Sequence, residues 1–170
     1  MNSKVYELLN QQINKEFYSA YLYLNFSNYF EGSGLDGFAN WYLIQAQEER
    51  DHAMLFYRYL QNEGQTVTLE AIEKPEPHIN CYIDVLKAGL EHEKYVTSLI
   101  NDICVAAHDV KDFRTMQFLD WFVKEQGEEE TNANNLITKA ELFGTDPKGL
   151  YMLNQELASR VYTTPSLVIG

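Results

Sequence analysis

The sequence predicts an all-α protein: a four-helix bundle with one long crossover connection and a short fifth helix near its C-terminal end. Three observations carry this. Four long stretches keep a helical period, with apolar positions recurring at steps of three and four. All four prolines, Pro75, Pro77, Pro147 and Pro165, fall outside those stretches, so none interrupts a helix. The one long aperiodic gap, residues 65–80, lies between the second and third stretches. A connection of that length can run along the whole bundle and bring the third helix in parallel to the second.

The first helix is expected over about 3–31, with Ser3 as its N-cap. Its inner stripe reads Leu9, Ile13, Glu16, Ala20, Tyr23, Ser27, and Gly32-Ser33-Gly34 ends it. The second spans about 36–63 and stops at Gly64. At 1.5 Å per residue each helix is roughly 40 Å long, and the short link makes the two an antiparallel pair. The third spans about 81–107 with the stripe Leu86, Leu90, Glu93, Thr97, Ile100, Cys104, Ala107. A break at His108–Lys111 precedes the fourth, about 112–143, whose stripe is Leu119, Phe122, Gln126, Glu129, Ala133, Leu136, Ala140, Phe143. A fifth helix is expected over about 150–160, followed by an apolar tail that is either a docking strand or a loose end. No strand pattern competes: Thr66–Leu69 alternates weakly but lies in the crossover.

With 170 residues, 45% hydrophobic and 22% charged, the chain reads as one globular domain, 1–170, with enough length for a core. The net charge of −12 argues against nucleic acid and anionic membranes as partners and suits the attraction of cations. No signal-peptide pattern follows Met1, and no apolar run approaches the roughly 18 residues of a membrane span. Cys81 and Cys104, without a CxxC, read as reduced, buried, structural thiols of a cytoplasmic protein.

Polar residues interrupt the stripes in a pattern. On the second helix the inner face reads Phe38, Tyr42, Gln45, Glu49, His52, Phe56, Tyr59. Glu49 and His52 are three apart, so they share a face and can grip one ion. Glu49 follows Glu16 by 33 positions and His52 follows it by 36; Gln126 and Glu129 follow Glu93 by the same two intervals. The chain thus reads as two helical hairpins related by internal symmetry. Each offers a carboxylate from one helix and an i, i+3 pair from the next, and all six side chains can converge at mid-height. Burying an ionised glutamate costs several kcal/mol or more unless something pairs with it. Four glutamates carry a charge that two divalent cations would cancel. Oxygen donors with one imidazole suit iron, manganese or zinc, and a carboxylate-bridged pair suits iron best. A ligand set without cysteine argues against structural zinc. The bland alternative is a scaffolding bundle whose buried acids pair with Arg or Lys, but these stripes contain neither.

These residues carry a resemblance to the bacterial non-haem ferritins, through Gln12–Ser19, Ala46–His52 and Phe118–Glu130, and the match covers nearly the whole chain. The resemblance implies a cytoplasmic iron-storage protein that assembles into a 24-subunit shell, each subunit holding a di-iron ferroxidase centre that uses O2 or H2O2. By it, Glu16, Glu49 and His52 bind one iron, Glu93 and Glu129 the other, Glu49 bridges, and Gln126 lies beside the second iron. Tyr23 is implied as the residue that orients Glu93 and supplies an electron, with core packing as its bland role; Trp121 is the lesser donor. Glu48, Glu125 and Glu128, with Glu129, match a third iron site toward the cavity, solvated surface acids being the alternative. Glu31 and Glu130 read as solvated. His108, Asp109 and Asp112 fall where ferritins line a threefold channel. Gly127 departs from the family, which commonly has a side chain there. Bacterioferritins carry Glu-x-x-His in both halves and a methionine after the bridging glutamate; here the second half has Gln126-x-x-Glu129 and position 50 is Arg50, so haem is not expected. Rubrerythrins add CxxC pairs that are missing. A dimeric peroxide scavenger with the same centre is the rival reading.

Overall fold

The computed structural model describes residues 1–169 and contains five α-helices: α1 (Ser3–Gly32), α2 (Asp36–Asn62), α3 (Tyr82–Asp109), α4 (Phe113–Phe143) and α5 (Pro147–Ala158). No strand occurs among the described residues. The helices α1 and α2 form one antiparallel hairpin, α3 and α4 the other, and α1 packs against α3. The remaining faces of α2 and α4 meet through side chains: Tyr59 stacks on Phe118 with ring centroids 4.0 Å apart, and its hydroxyl lies 2.9 Å from Thr115 Oγ1.

Local chemistry sets the ends, and several differ from the sequence expectation. The cap of α1 is Asn2, whose side chain accepts from Lys4 N at 2.9 Å, so Ser3 is already helical. Gly34 and Gly64 take left-handed φ of 72° and 70°, the conformation that glycine adopts without a Cβ penalty. The turn between α3 and α4 uses Lys111 at φ 56°. Asp112 then caps α4 with both oxygens, accepting from Thr115 N at 3.1 Å and Thr115 Oγ1 at 2.9 Å. The fifth helix begins at Pro147, three residues earlier than expected, and ends at Ala158. Asp146 accepts from Gly149 N at 2.8 Å, and proline in the first turn loses no helical bond.

Other expectations are corrected. Phe143 is half-exposed rather than part of the core, because the core at that end is closed by Leu153 and Leu157 of α5 beneath Leu136 and Ala140. Cys81 is exposed at the start of α3, and Cys104 is half-buried; both thiols are free. The tail is neither a strand nor loose. Tyr162 OH donates to Asp51, Trp121 Nε1 donates to Ser166 Oγ at 2.9 Å, and Leu167 and Ile169 pack on the core. Gly170 lies outside the described residues.

Two unforeseen polar devices hold the connections. Along α1, Tyr6 OH donates to Thr66 O, Asn10 exchanges two bonds with Thr68, and Asn14 Nδ2 donates to Ala71 O. Residues four apart on one helix face thus fasten the crossover. Leu35 supplies α2 with no side-chain cap; instead Asn154 of α5 accepts from Gly37 N at 2.9 Å and Phe38 N at 3.3 Å. A Cβ at Gly37 would meet Asn154 O at 1.7 Å, so only glycine lets α5 approach.

The core is split. One apolar cluster centres on Tyr23, Phe26, Phe30, Phe38, Tyr42 and Leu86. The other centres on Leu9, Ile13, Phe56, Leu60, Ile100 and Phe122. Between them α1–α4 each contribute buried polar side chains.

Candidate metal centre

That polar band holds every residue of the repeated 33/36 pattern. Glu16, Glu49, His52, Glu93, Gln126 and Glu129 are each at most 5% exposed. Helical spacing puts them there: each stands on the inner stripe of its helix, which turns apolar toward both ends of the bundle.

Glu16, Glu49 and His52 converge, each offering a ligand atom within 4.8 Å of the other two. Among the described residues they are the only three or more His, Cys, Asp or Glu side chains gathered so closely. Gln12 Nε2 donates to Glu16 Oε1 at 2.9 Å, and His52 Nδ1 lies 3.3 Å from Glu49 Oε2. The other oxygens, Glu16 Oε2 and Glu49 Oε1, are buried with no hydrogen-bond partner. A buried, unpartnered carboxylate oxygen is costly in a finished core. Two of them beside an imidazole fit a divalent cation.

The second half is arranged differently. Glu93 Oε1 accepts from Tyr23 OH, and Glu93 Oε2 accepts from Gln126 Nε2 at 3.1 Å. Glu129 Oε2 accepts from Gln45 Nε2 at 2.9 Å. Glu93 and Glu129 do not join Glu49 in a trio as tight as the first. A small cavity of about 20 Å³ beside them is lined by Tyr23, Tyr42, Gln45, Glu93 and Glu129, among others.

The side chains of the band supply little counter-charge of their own, and the electrostatics follow. Burial, then the charge of Glu49, pushes Glu16 up to about 8. Burial, then Glu129, pushes Glu93 up to about 8. Glu49 is raised well above the carboxylate range by burial and then by Glu93 and Glu129. Tyr23 is raised by burial and then by Glu93, which keeps its phenol protonated as a donor. No Lys or Arg lies within ion-pair distance of Glu16, Glu49, Glu93 or Glu129 among the described residues. The scaffolding alternative lacks the basic partners it needs.

Glu48, Glu125, Glu128 and Glu129 are not gathered as closely as the first trio, though burial and then neighbouring charges act on Glu48 and Glu125, with Glu129 among those that raise both. Glu48 is held by Arg160, whose guanidinium sits 2.7 Å away. That guanidinium also lies 4.1 Å from the centre of the Trp41 ring and donates to Trp41 O. Glu125 is half-buried, and Glu128 is exposed beside Lys124 at 3.4 Å. Glu130 is not simply solvated, because it accepts from Thr97 Oγ1 at 2.6 Å. Asp112 is committed to capping α4, while His108 and Asp109 remain exposed at the turn. Trp121 stands edge-on to His52, with centroids 5.5 Å apart.

Sequence reasoning missed Gln12 and Arg160. Gln12 precedes Glu16 by one helical turn, which was a readable signal. Arg160 lies 112 positions from Glu48, and nothing local announces that pairing.

A bundle with this topology and a buried carboxylate–histidine band belongs to the ferritin-like family: residues 6–143 match the family model for the Ferritin-like domain. The chain is 35% identical over 159 residues to a probable bacterial non-heme ferritin-like protein of Haemophilus influenzae, covering 94% of this chain and 96% of that one. It is 37% identical over 155 residues to the bacterial non-heme ferritin of Campylobacter jejuni, covering 91% and 93%. Its structure is similar to that of an open-pore ferritin from the hyperthermophilic archaeon Archaeoglobus fulgidus, with a TM-score of 0.92 and 41% identity over 95% of this chain and 98% of that one. An engineered closed form of the same ferritin gives a TM-score of 0.93 at 41% identity, covering 96% and 99%.

Proposed function

We propose that this protein is an iron-storage ferritin. It takes up Fe²⁺ as substrate, oxidises it at a two-iron centre inside each subunit, and keeps the Fe³⁺ as a mineral within a 24-subunit shell in the cytoplasm. The observation that carries this is the pair of buried, unpartnered oxygens on Glu16 and Glu49 beside His52. Glu16, Glu49 and His52 hold one Fe²⁺; Glu93 and Glu129 hold the second, with Glu49 between them. Two Fe²⁺ give one electron each to O2, which takes two protons and leaves as H2O2; peroxide can serve as the oxidant in its turn. Holding two metals side by side is what brings both electrons to one oxidant.

The side chains around the centre orient it. Gln12 positions Glu16, Gln45 positions Glu129, and Tyr23 with Gln126 positions Glu93. Such outer partners typically matter about 10–100-fold in metal affinity or activity. A third ion at Glu48, Glu125, Glu128 and Glu129 requires Arg160 to leave Glu48, so that position binds more weakly than the centre. No haem is part of this reading.

The test is anaerobic Fe²⁺ titration with metal counting per chain, followed by oxygen and absorbance, with particle mass measured on the same sample. Two Fe²⁺ bound per chain, rapid oxidation and a mass near 24 chains support storage. A dimer with the same chemistry supports a peroxide scavenger instead. Glu49→Ala and His52→Ala variants that oxidise Fe²⁺ as fast as the parent overturn the centre.

A further inference from the structure

Tyr23 is 1% exposed and its hydroxyl is bonded to Glu93, so no reductant in solution can reach it. Its ring does have an aromatic neighbour on the outward side. His92, the residue before Glu93, stands edge-on to Tyr23 with centroids 5.8 Å apart at 88°. The same imidazole lies 5.8 Å from Tyr18 and 6.2 Å from Tyr95. Tyr95 is 45% exposed. The four rings therefore run from the metal band, between α1 and α3, to the protein surface.

The imidazole is held in place. Ser19 Oγ donates its one hydrogen to Lys15 O at 3.0 Å. His92 Nε2, 2.8 Å from the same Oγ, must then be the donor in that contact. Outside, Tyr18, His92 and Tyr95 line a cleft of about 230 Å³ with Asn14, Lys15 and Glu73. Packing alone would not require tyrosine at the outer end, since an exposed phenol ring buries little apolar area.

We propose that Tyr18, His92 and Tyr95 are an electron relay joining the buried Tyr23 to one-electron reductants of the ascorbate class in solution. The inference rests on the iron-oxidising reading of the centre and extends it. Tyr23 gives one electron to the dioxygen or peroxide being reduced there, and its phenolic proton passes to Glu93 Oε1. An electron from Tyr18 or Tyr95 crosses the His92 ring and refills Tyr23, which takes its proton back from Glu93. The outer phenol releases its own proton to water. A reductant molecule in the cleft then returns one electron to the outer tyrosyl, and water returns the proton. Two turns of the relay, with the two protons released as two reductant molecules lose one electron each, reduce one H2O2 to two H2O, and every tyrosine is restored. The consequence is that oxidant left after the two Fe²⁺ are spent is reduced at the expense of a small molecule rather than of the protein.

The experiment uses the assembled protein loaded with two Fe²⁺ per chain, mixed with oxygen and freeze-quenched for electron paramagnetic resonance, with and without ascorbate. Parent, the double variant Tyr18→Phe/Tyr95→Phe, and His92→Leu are compared, and Tyr23→Phe assigns the inner signal. Phenylalanine keeps the packing, and radical lifetime is a readout that packing alone does not move. The expected result is a Tyr23 radical that persists several-fold longer in the double variant and in His92→Leu, and that ascorbate quenches rapidly only in the parent. Equal lifetimes and equal quenching overturn the relay, as does Fe²⁺ oxidation with no tyrosyl signal in any of the proteins; in both cases Fe²⁺ binding stays intact and the storage reading stands. A parent that binds no Fe²⁺ overturns both.

Discussion

The two halves of the centre come from the same sequence spacing but hold their charge in different ways. In the first, Glu16 and Glu49 keep oxygens with no partner, and His52 completes a close trio. In the second, Glu93 is bonded at both oxygens, by Tyr23 and Gln126, and Glu129 accepts from Gln45. The repeat therefore sets where carboxylates stand, while neutral donors from neighbouring turns decide how ready each half is for a cation. The first half is open to an ion. In the second, the same donors hold the carboxylates in position and leave their remaining lone pairs for an ion.

The largest expected effect concerns the metal-free protein. Glu16 and Glu93 each rise from 4.5 to about 8 on folding, chiefly through burial. Between those values the folded chain holds protons that the unfolded chain has released, so stability falls as pH rises through that window. Above it the full penalty, of several kcal/mol, is in place. The thermal midpoint of the metal-free protein should fall steadily from pH 5 to 8. Glu16→Gln should flatten part of that slope, and saturating Mn²⁺ should flatten most of it. A midpoint rising with pH would contradict the assignment.

Next in size is the residue common to both halves. Glu49→Ala should slow Fe²⁺ oxidation by about 100-fold or more in stopped-flow absorbance, above the range typical of outer partners. His52→Ala should weaken the first ion while leaving the second half intact, so anaerobic titration should show the stronger of two binding steps lost.

A smaller effect separates the halves cleanly. Gln45→Ala removes the donor to Glu129 and should weaken only the second binding step, by about tenfold. Equal weakening of both steps would mean that the halves are not distinct. Smallest is Gly127→Ala. A Cβ there meets nothing within 4 Å and the position is exposed on an unbroken α4. The change should stabilise the chain by about 1 kcal/mol in thermal melts and leave both binding steps alone.

Much of this was legible before any coordinates. Glu16, Glu49, His52, Glu93, Gln126 and Glu129 stood out because a charge on an apolar helical stripe is expensive and periodicity is local. Helix caps were less legible: α1 is capped by Asn2 rather than Ser3, and α5 starts at Pro147 under Asp146, because several neighbouring residues can cap and geometry chooses among them. Long-range polar pairs were not legible at all. Arg160 against Glu48, Asn154 on the start of α2, and Asn10 on the crossover join residues 58 to 117 positions apart, and no periodicity encodes them. The state of Glu48 was hidden for this reason, since its own helix gives no hint that Arg160 reaches it. The open difference between the halves was equally hidden, because spacing says nothing about which oxygen a neighbouring amide will claim.

The divided core has a consequence for how the subunit breathes. Its two apolar lobes are joined across a waist of buried carboxyls, three of which burial pushes toward the protonated form. Amide hydrogens at mid-helix in α2 and α4 should exchange with solvent sooner than those flanking them, the reverse of a bundle that frays from its tips. Filling the waist with divalent cations would weld the lobes together, so a bound ion would act as a keystone of the fold.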